Sequence, residues 1–329
     1  MTISLILTGG TICCRTDADG LRRSDVSQAQ TRLESGYFAQ HPASGVKFAV
    51  QSPINRLSED LTPPDLLRLL GCIAENDLTE ISGILVAHGT DTLDQTAALL
   101  AAALPDFAVP LILVSAIAPP DAPDSNADAN FAAAVSLIER GIAPGIWTVY
   151  QNTDGTVYLH RGSELLPCAY GAADFFSPHM LPVPEAPLAP KCEPQPFFRY
   201  DRAARSAEIL LLRPHHGLRY DTLPLENVHA VVHGTYHSGT ANSSDDPQYS
   251  VQTLLRRCAE RQIPCFLAPC DPETAQYGST AILLRAGAIP LNMPLTFAHM
   301  ALWLGAMRGL SGSALTEFVR EAYEKTKAL

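Results

Sequence analysis

The sequence predicts an α/β protein of two domains: a larger N-terminal domain on a parallel-type sheet with helices on both faces, and a smaller C-terminal α/β domain. Three observations carry this expectation. Short runs rich in Ile, Leu and Val alternate with stretches of helical periodicity along most of the chain. The 329 residues are 47% hydrophobic and 17% charged, which suffices for two full cores. Between Ser177 and Pro196 seven prolines interrupt every periodicity, so that stretch is expected to continue neither sheet nor helix. The expected domains are therefore 1–180, a linker at 181–200, and 201–329.

Taken in order, Ile3 to Leu7 reads as a strand that ends at Gly9 and Gly10. Thr62 as N-cap, Pro63 and Pro64, and apolar residues at Leu66, Leu69, Leu70 and Ile73 predict a helix over about 63–75. Ile81 to Ala87 reads as a strand leading to His88. Leu93 to Leu104 is an Ala-rich and Leu-rich helix that must be covered on most sides. Val109 to Ser115, Asp128 to Arg140 and Ile146 to Tyr150 continue as strand, helix and strand. Beyond the prolines, strands are expected at Glu208 to Leu212, Val228 to Val232 and Ile263 to Ala268. Helices are expected at Gln248 to Arg261, Thr280 to Ala286, Leu295 to Met307 and Ala314 to Lys325. No internal repeat is evident.

Composition narrows the function. With 23 Lys plus Arg against 34 Asp plus Glu, the formal charge is −11, so nucleic acid gains nothing from counterion release and is not an expected partner. Apolar stretches such as Ala97 to Leu104 fall short of the roughly 20 residues a bilayer span needs, so no membrane association is expected. Met1 to Leu7 opens straight into a strand-like run, with no basic region or cleavage site before it, which predicts a cytoplasmic protein. The eight cysteines form no CxxC pair and read as reduced core thiols. His215 and His216 are adjacent without a carboxylate pattern, so neither a metal nor an organic cofactor is expected.

Ligands of open α/β sheets bind beyond the carboxyl ends of the strands, which directs attention to two turns. In Thr8-Gly9-Gly10-Thr11-Ile12 the glycines let the backbone approach a ligand and leave the Thr11 hydroxyl beside exposed N–H groups. A glycine pair after a strand is more often turn chemistry alone, and this one is neither GxGxxG nor a P-loop. In His88-Gly89-Thr90-Asp91-Thr92 a hydroxyl and a carboxylate stand at the positive end of a helix dipole, although Asp91 and Thr92 also read as ordinary caps. The presence of both turns, in this order and at strand ends of one expected sheet, favours a shared site.

On these two turns the sequence resembles the bacterial-type L-asparaginase and glutaminase family, whose members carry a TGGTI turn near the N-terminus and then an HGTDT turn. Ile54 to Pro63 (INRLSEDLTP) looks like the family's segment for the substrate's α-carboxylate and α-amine, and Ser115 to Phe131 like a diverged further segment. Gly287 to Met293 resembles the turn before the family's dimer-contact helix. The resemblance implies amide hydrolysis with Thr11 as nucleophile and Thr90 and Asp91 as catalytic partners. It implies that Ser58, Glu59 and Asp91 hold the amino-acid end of the substrate, with Gly10, Gly89 and Ala116 lining it and the Thr90 N–H stabilising the oxyanion. A homodimer or homotetramer is implied too, since family members complete each site across an interface.

Three family residues are missing. The lysine that activates the second threonine matches Leu166, nine residues before Phe175, and the chain's four lysines (Lys47, Lys191, Lys325, Lys327) lie elsewhere in sequence. The lid tyrosine matches Leu21, and the inter-subunit glutamate falls near Thr296. Candidate substitutes are Arg22 and Arg23 as carboxylate clamps and His237, between Tyr236 and Ser238, as a base. Glu164 is the nearest charge to the missing lysine but would repel Asp91. Two functions are weighed: an amidohydrolase of asparagine or a related amino-acid amide, and a catalytically impaired relative that binds an amino acid or amide. The paired hydroxyls favour the first and the missing residues the second.

Overall fold

In the computed structural model, residues 1–169, 171–193, 207–273 and 277–327 are described. The chain forms two compact units, Met1–Ala204 with Glu324–Leu329, and Arg205–Tyr323.

The first unit opens with β1 (Thr2–Leu7), buried from Ile3 onward, and the Gly9-Gly10 pair follows it. A 3-10 turn at Thr11–Cys13 leads into a hairpin of β2 (Cys14–Thr16) and β3 (Arg22–Ser24). Next come α1 (Val26–Gln40), started by Asp25 accepting from the Gln28 N–H, and β4 (Lys47–Gln51). A second 3-10 turn, Ser58–Asp60, precedes α2 (Pro63–Ala74), where the Asp65 carboxylate accepts from both the N–H and the hydroxyl of Thr62. The alternation then runs β5 (Gly83–Ala87), α3 (Leu93–Ala103), β6 (Pro110–Val114), α4 (Ala127–Glu139) and β7 (Gly145–Gln151). Two further strands, β8 (Val157–Arg161) and β9 (Leu181–Pro182), complete a seven-stranded sheet of order β4-β1-β5-β6-β7-β8-β9.

Pairing is parallel from β4 to β7, so the strands that carry the two turns, β1 and β5, are neighbours running in one direction. The sequence reading missed β8, which returns antiparallel through Asn152-Thr153-Asp154-Gly155, an Asp-Gly turn signal in plain sight. It also expected no regular structure in the proline-rich stretch, whereas Leu181 and Pro182 pair with Leu159 and Tyr158 as the sheet's last strand. An edge tolerates proline because no ladder bond is needed on its outer side. Pro194 and Pro196 lie outside the described residues. Every residue of α3 except Gln95 is buried, as its Ala-rich and Leu-rich composition requires. The core of α4 and the sheet joins Leu5, Leu85, Ile112 and Phe131.

The second unit carries β10 (Ile209–Leu212), β11 (Ala230–Gly234), α5 (Val251–Glu260), β12 (Cys265–Ala268), α6 (Gly278–Arg285), β13 (Ile289–Pro290), α7 (Leu295–Met307) and the greater part of α8 (Gly312–Lys327). Its four strands are parallel in the order β10-β11-β12-β13. All eight cysteines are free thiols. Among the described residues no helix is long and apolar enough to cross a membrane.

Candidate active site at the ends of β1 and β5

Where β1 and β5 run out, their turns touch backbone to backbone. A side chain at Gly10 would place its first carbon 2.2 Å from the Gly89 Cα, and the Gly10 φ of 72° is itself one that other residues rarely adopt. Glycine is required on both counts. Thr11 and Thr90 each follow one of these two glycines, so the juxtaposition brings both into one neighbourhood. The contact is fixed from below, since the Thr8 hydroxyl donates to Ala87 O at 2.9 Å and the Thr8 N–H to the same oxygen at 3.1 Å.

The third contributor is the segment Arg56–Asp60. Gly10 N–H donates to Arg56 O at 2.9 Å and Arg56 N–H to Thr8 O at 3.2 Å, an extension of the sheet beyond β1. Thr92, at the start of α3, donates its hydroxyl to Ser58 O at 3.0 Å, which ties the Ser58–Asp60 turn to the Thr90 turn. As a result the Ser58 Oγ stands 2.5 Å from where a Gly89 Cβ would lie. That hydroxyl is buried and has no hydrogen-bond partner among the described residues. A buried donor left unpaired typically costs about 1–3 kcal/mol.

His88 holds the second turn from behind. It is fully buried; its Nδ1 meets Gly89 O at 2.8 Å and its Nε2 meets the Thr96 hydroxyl at 2.9 Å, and burial lowers its pKa to about 4. A neutral imidazole thus orients the Gly89 peptide. Thr90 is partly exposed and Asp91 exposed. Among the described residues, the Thr11 and Thr90 hydroxyls and the N–H groups of Thr90 and Asp91 have no protein partner. Beside them, at the end of β6, Ala116 is fully buried in a loop held by two asparagines: Asn130 donates to Ser115 O at 2.9 Å, and Asn126 accepts from the Ile117 N–H at 2.9 Å. Sequence reasoning missed the holding roles of His88, Thr92, Asn126 and Asn130; the signals available were a histidine directly after an all-apolar strand and two asparagines one helical turn apart at the start of α4.

Glu59 is exposed, and its charge together with that of Arg22 is felt at Cys14, whose thiol is pushed up to about 11 by burial, against the pull of Arg22 and with a further push from Glu59. Arg22 and Glu59 therefore stand close to the end of the Thr11–Cys13 turn. Arg22 donates to Ile117 O at 3.5 Å. Because β5 lies between β1 and β6 in the sheet, this reach from the hairpin to the loop after β6 passes over the mouth of the turns. Arg23 is engaged by Asp17 and Asp19 and is not available as a clamp. Glu164 is buried and paired with His179 at 3.0 Å, which also withdraws it from the site.

The lysines explain what is missing. Lys47 begins β4 and pairs in register with Thr2, Lys191 donates to Ile81 O just before β5, and Lys325 pairs with Asp106 ahead of β6. All three lie at the amino edge of the sheet, the edge opposite the turns, and Lys327 pairs with Glu324. Leu166 occupies the sequence position of the expected lysine and is 40% exposed. Its segment does approach the site: the Cys168 thiol is raised by burial first and then by the charges of Asp174, Asp91 and Asp94. Leu21 is exposed on the hairpin turn, while Thr296 and His237 belong to the second unit.

Residues 2–185 match the family model described as "Asparaginase, N-terminal". The chain belongs to the asparaginase family. Its relatives include a glutamyl-tRNA(Gln) amidotransferase subunit of Pyrococcus horikoshii, 26% identical over 319 residues that cover 92% of this chain and 71% of that one. The subunit of the same name from Thermoplasma acidophilum is 32% identical over 160 residues, 48% of this chain and 38% of that one. Among solved structures, the thermostable L-asparaginase of Thermococcus kodakarensis superposes with a TM-score of 0.76 at 19% identity, covering 98% of this chain and 96% of that one. L-asparaginase I from Vibrio cholerae gives 0.75 at 20% identity, with 100% and 97% covered. At such identities the likeness is one of fold, and it extends over both units.

Proposed function

We propose that this protein is an asparaginase-type amidohydrolase that releases ammonia from the side-chain amide of asparagine or a related amino-acid amide. The observation that carries the reading is the Ser58 hydroxyl, buried and without a partner among the described residues against the Gly10–Gly89 contact, with Thr11 and Thr90 next in chain to the two glycines. In this reading the Thr11 oxygen attacks the amide carbon and the C–N bond breaks. The hydroxyl proton passes to the leaving nitrogen, giving ammonia and an acyl-enzyme ester that water then cleaves. Ser58, Glu59 and Asp91 hold the carboxylate and amine of the substrate, and the Thr90 N–H supports the oxyanion beside Ala116. An amidotransferase breaks the same bond and differs in what accepts the nitrogen, so the relatives named as amidotransferase subunits fit the same chemistry. The protein acts in the cytoplasm as a homodimer or homotetramer. The test is ammonia release by the purified protein from L-asparagine, L-glutamine and D-asparagine. Release that falls at least about 100-fold in Thr11→Val and Thr90→Val is expected; equal release by Thr11→Val overturns the assignment of the nucleophile.

A second reading, a protein that binds an amino acid or amide without hydrolysing it, is favoured by one observation: Lys47, Lys191 and Lys325 stand at the amino edge of the sheet. Calorimetric binding of an amino-acid amide with no ammonia formed, abolished by Ser58→Ala, would select it.

A further inference from the structure

The segment that carries Ser58 and Glu59 is fastened at both of its ends to one carboxylate. Asp65 lies in the first turn of α2 and is 1% exposed. Its Oδ2 accepts from the Thr62 N–H at 3.0 Å and from the Thr62 hydroxyl at 2.6 Å, and it lies 3.6 Å from Nε of Arg56. Its Oδ1 accepts from Nη1 of Arg68, one turn along the helix, at 2.6 Å. Burial works to raise the pKa of this carboxyl, but the Thr62 bonds and the two guanidiniums outweigh it and hold the group below its usual value.

A helix cap accounts for the bonds to Thr62 but not for the ion pair with Arg56, which lies upstream of the helix. Arg56 is the residue through which this segment joins the first turn. Its backbone exchanges hydrogen bonds with Thr8 and Gly10, and a side chain at Gly9 would bring its Cβ within 2.2 Å of the Arg56 O. The backbone of Arg56 is thus pressed onto the glycine pair while its side chain reaches to Asp65. Between Arg56 and Thr62 the chain folds into the Ser58–Asp60 turn, closed by the Asp60 N–H on Leu57 O at 3.1 Å and the Leu61 N–H on Ser58 O at 3.3 Å. Those bonds shape the turn from within. Its place is fixed from outside, by Asp65 at both ends and by the Thr92 hydroxyl on Ser58 O.

We infer that Asp65 is a positioning residue: through Arg56 and Thr62 it sets where Ser58 and Glu59 stand, and so governs how tightly the amino-acid end of the substrate is held. The inference rests on the reading that Ser58 and Glu59 hold that end. Asp65 acts through them, since its own oxygens face Thr62, Arg56 and Arg68. An ion pair with an arginine that is 50% exposed is worth at most about a fivefold change in an equilibrium, which sets the size of the effect.

The test is a set of variants of the full chain, read by KM and kcat for ammonia release from L-asparagine and L-glutamine, with urea unfolding alongside. Asp65→Asn keeps an acceptor for Thr62 and loses the charge that draws Arg56; Arg56→Gln removes the same pair from the other side. Each is expected to raise KM about threefold to fivefold with kcat within about twofold, and the double variant to raise it no further than either alone. Arg56→Lys, which keeps the charge, is expected to stay within about twofold of the wild type. Arg68→Gln removes a guanidinium that bonds Asp65 from outside the segment, so KM is expected to be unchanged even where the unfolding midpoint falls. An unmoved KM in Asp65→Asn and Arg56→Gln, additive effects in the double variant, or an equal rise in Arg68→Gln overturns the proposal and leaves Asp65 as a helix cap. A wild type that releases no ammonia overturns the amidohydrolase reading instead. The same variants are then read by calorimetry through their affinity for L-aspartate and L-glutamate, with the same ratios expected, and a wild type that binds neither overturns both.

Discussion

Two His-Gly-Thr turns, one at the end of β5 and one at the end of β11, are built alike and left in different states. In each, a buried neutral histidine bonds the glycine oxygen and a hydroxyl behind it. In the first, the glycine is pressed against a second turn and the next hydroxyl is unpartnered among the described residues. In the second, the glycine is pressed against Pro214 and Leu295, and the hydroxyl is spent on Pro269 O. The local device is therefore a means of presenting a turn, and what surrounds it decides whether the next hydroxyl is bonded to the fold or left unpartnered among the described residues.

The comparison breaks hardest at Gly89. Gly89→Ala puts a methyl carbon 2.5 Å from the Ser58 Oγ, so ammonia release is expected to fall about 100-fold or more and stability by about 1–3 kcal/mol, read by steady-state assay and urea unfolding. A second effect is shared by both turns. Burial lowers His88 and His233 from the usual value of 6.5 to about 4, so the unfolded chain takes up protons first as the pH falls. Stability is fully present above about pH 6.5 and is lost as the pH drops towards 4, by roughly 3 kcal/mol for each histidine. Urea midpoints measured across that range should slope downward, and His88→Gln or His233→Gln should flatten the slope while lowering stability near neutrality.

Smaller effects sharpen the contrast. Ser58→Ala removes a buried hydroxyl that has no partner among the described residues, so the fold should be as stable or slightly more so, while KM for the amide rises about tenfold. Thr235→Val, at the position that parallels Thr90, should cost about 1 kcal/mol through the lost bond to Pro269 and leave ammonia release unchanged. Equal losses of activity at Thr90 and Thr235 would erase the distinction drawn between the turns.

Much of the first unit was legible because its signals are local. Thr62 with two prolines starts α2, and the predicted strand at Ile146 to Tyr150 lies within β7. The two turns were legible as glycine-rich strand ends, but that Gly10 rests on Gly89 follows only from β1 and β5 being neighbours, which no local pattern encodes. The lysine edge was likewise hidden: the sequence placed none near Leu166, while their gathering at the amino edge is a product of topology. α1 escaped notice because its polar and apolar residues alternate weakly, and only Ala29, Leu33 and Tyr37 are buried. The repeat of His-Gly-Thr was too short to register as a repeat, and gained meaning only when each was found at the end of an interior parallel strand.

The central claim is that the hydroxyl beside Gly10 becomes covalently bonded to substrate. Acid-quenched protein taken during turnover of the best amide, digested and analysed by mass spectrometry, should carry an acyl group on the peptide that contains Thr11, and Thr11→Val should carry none. An acyl group on a different residue, or steady ammonia release by Thr11→Val, would contradict the account.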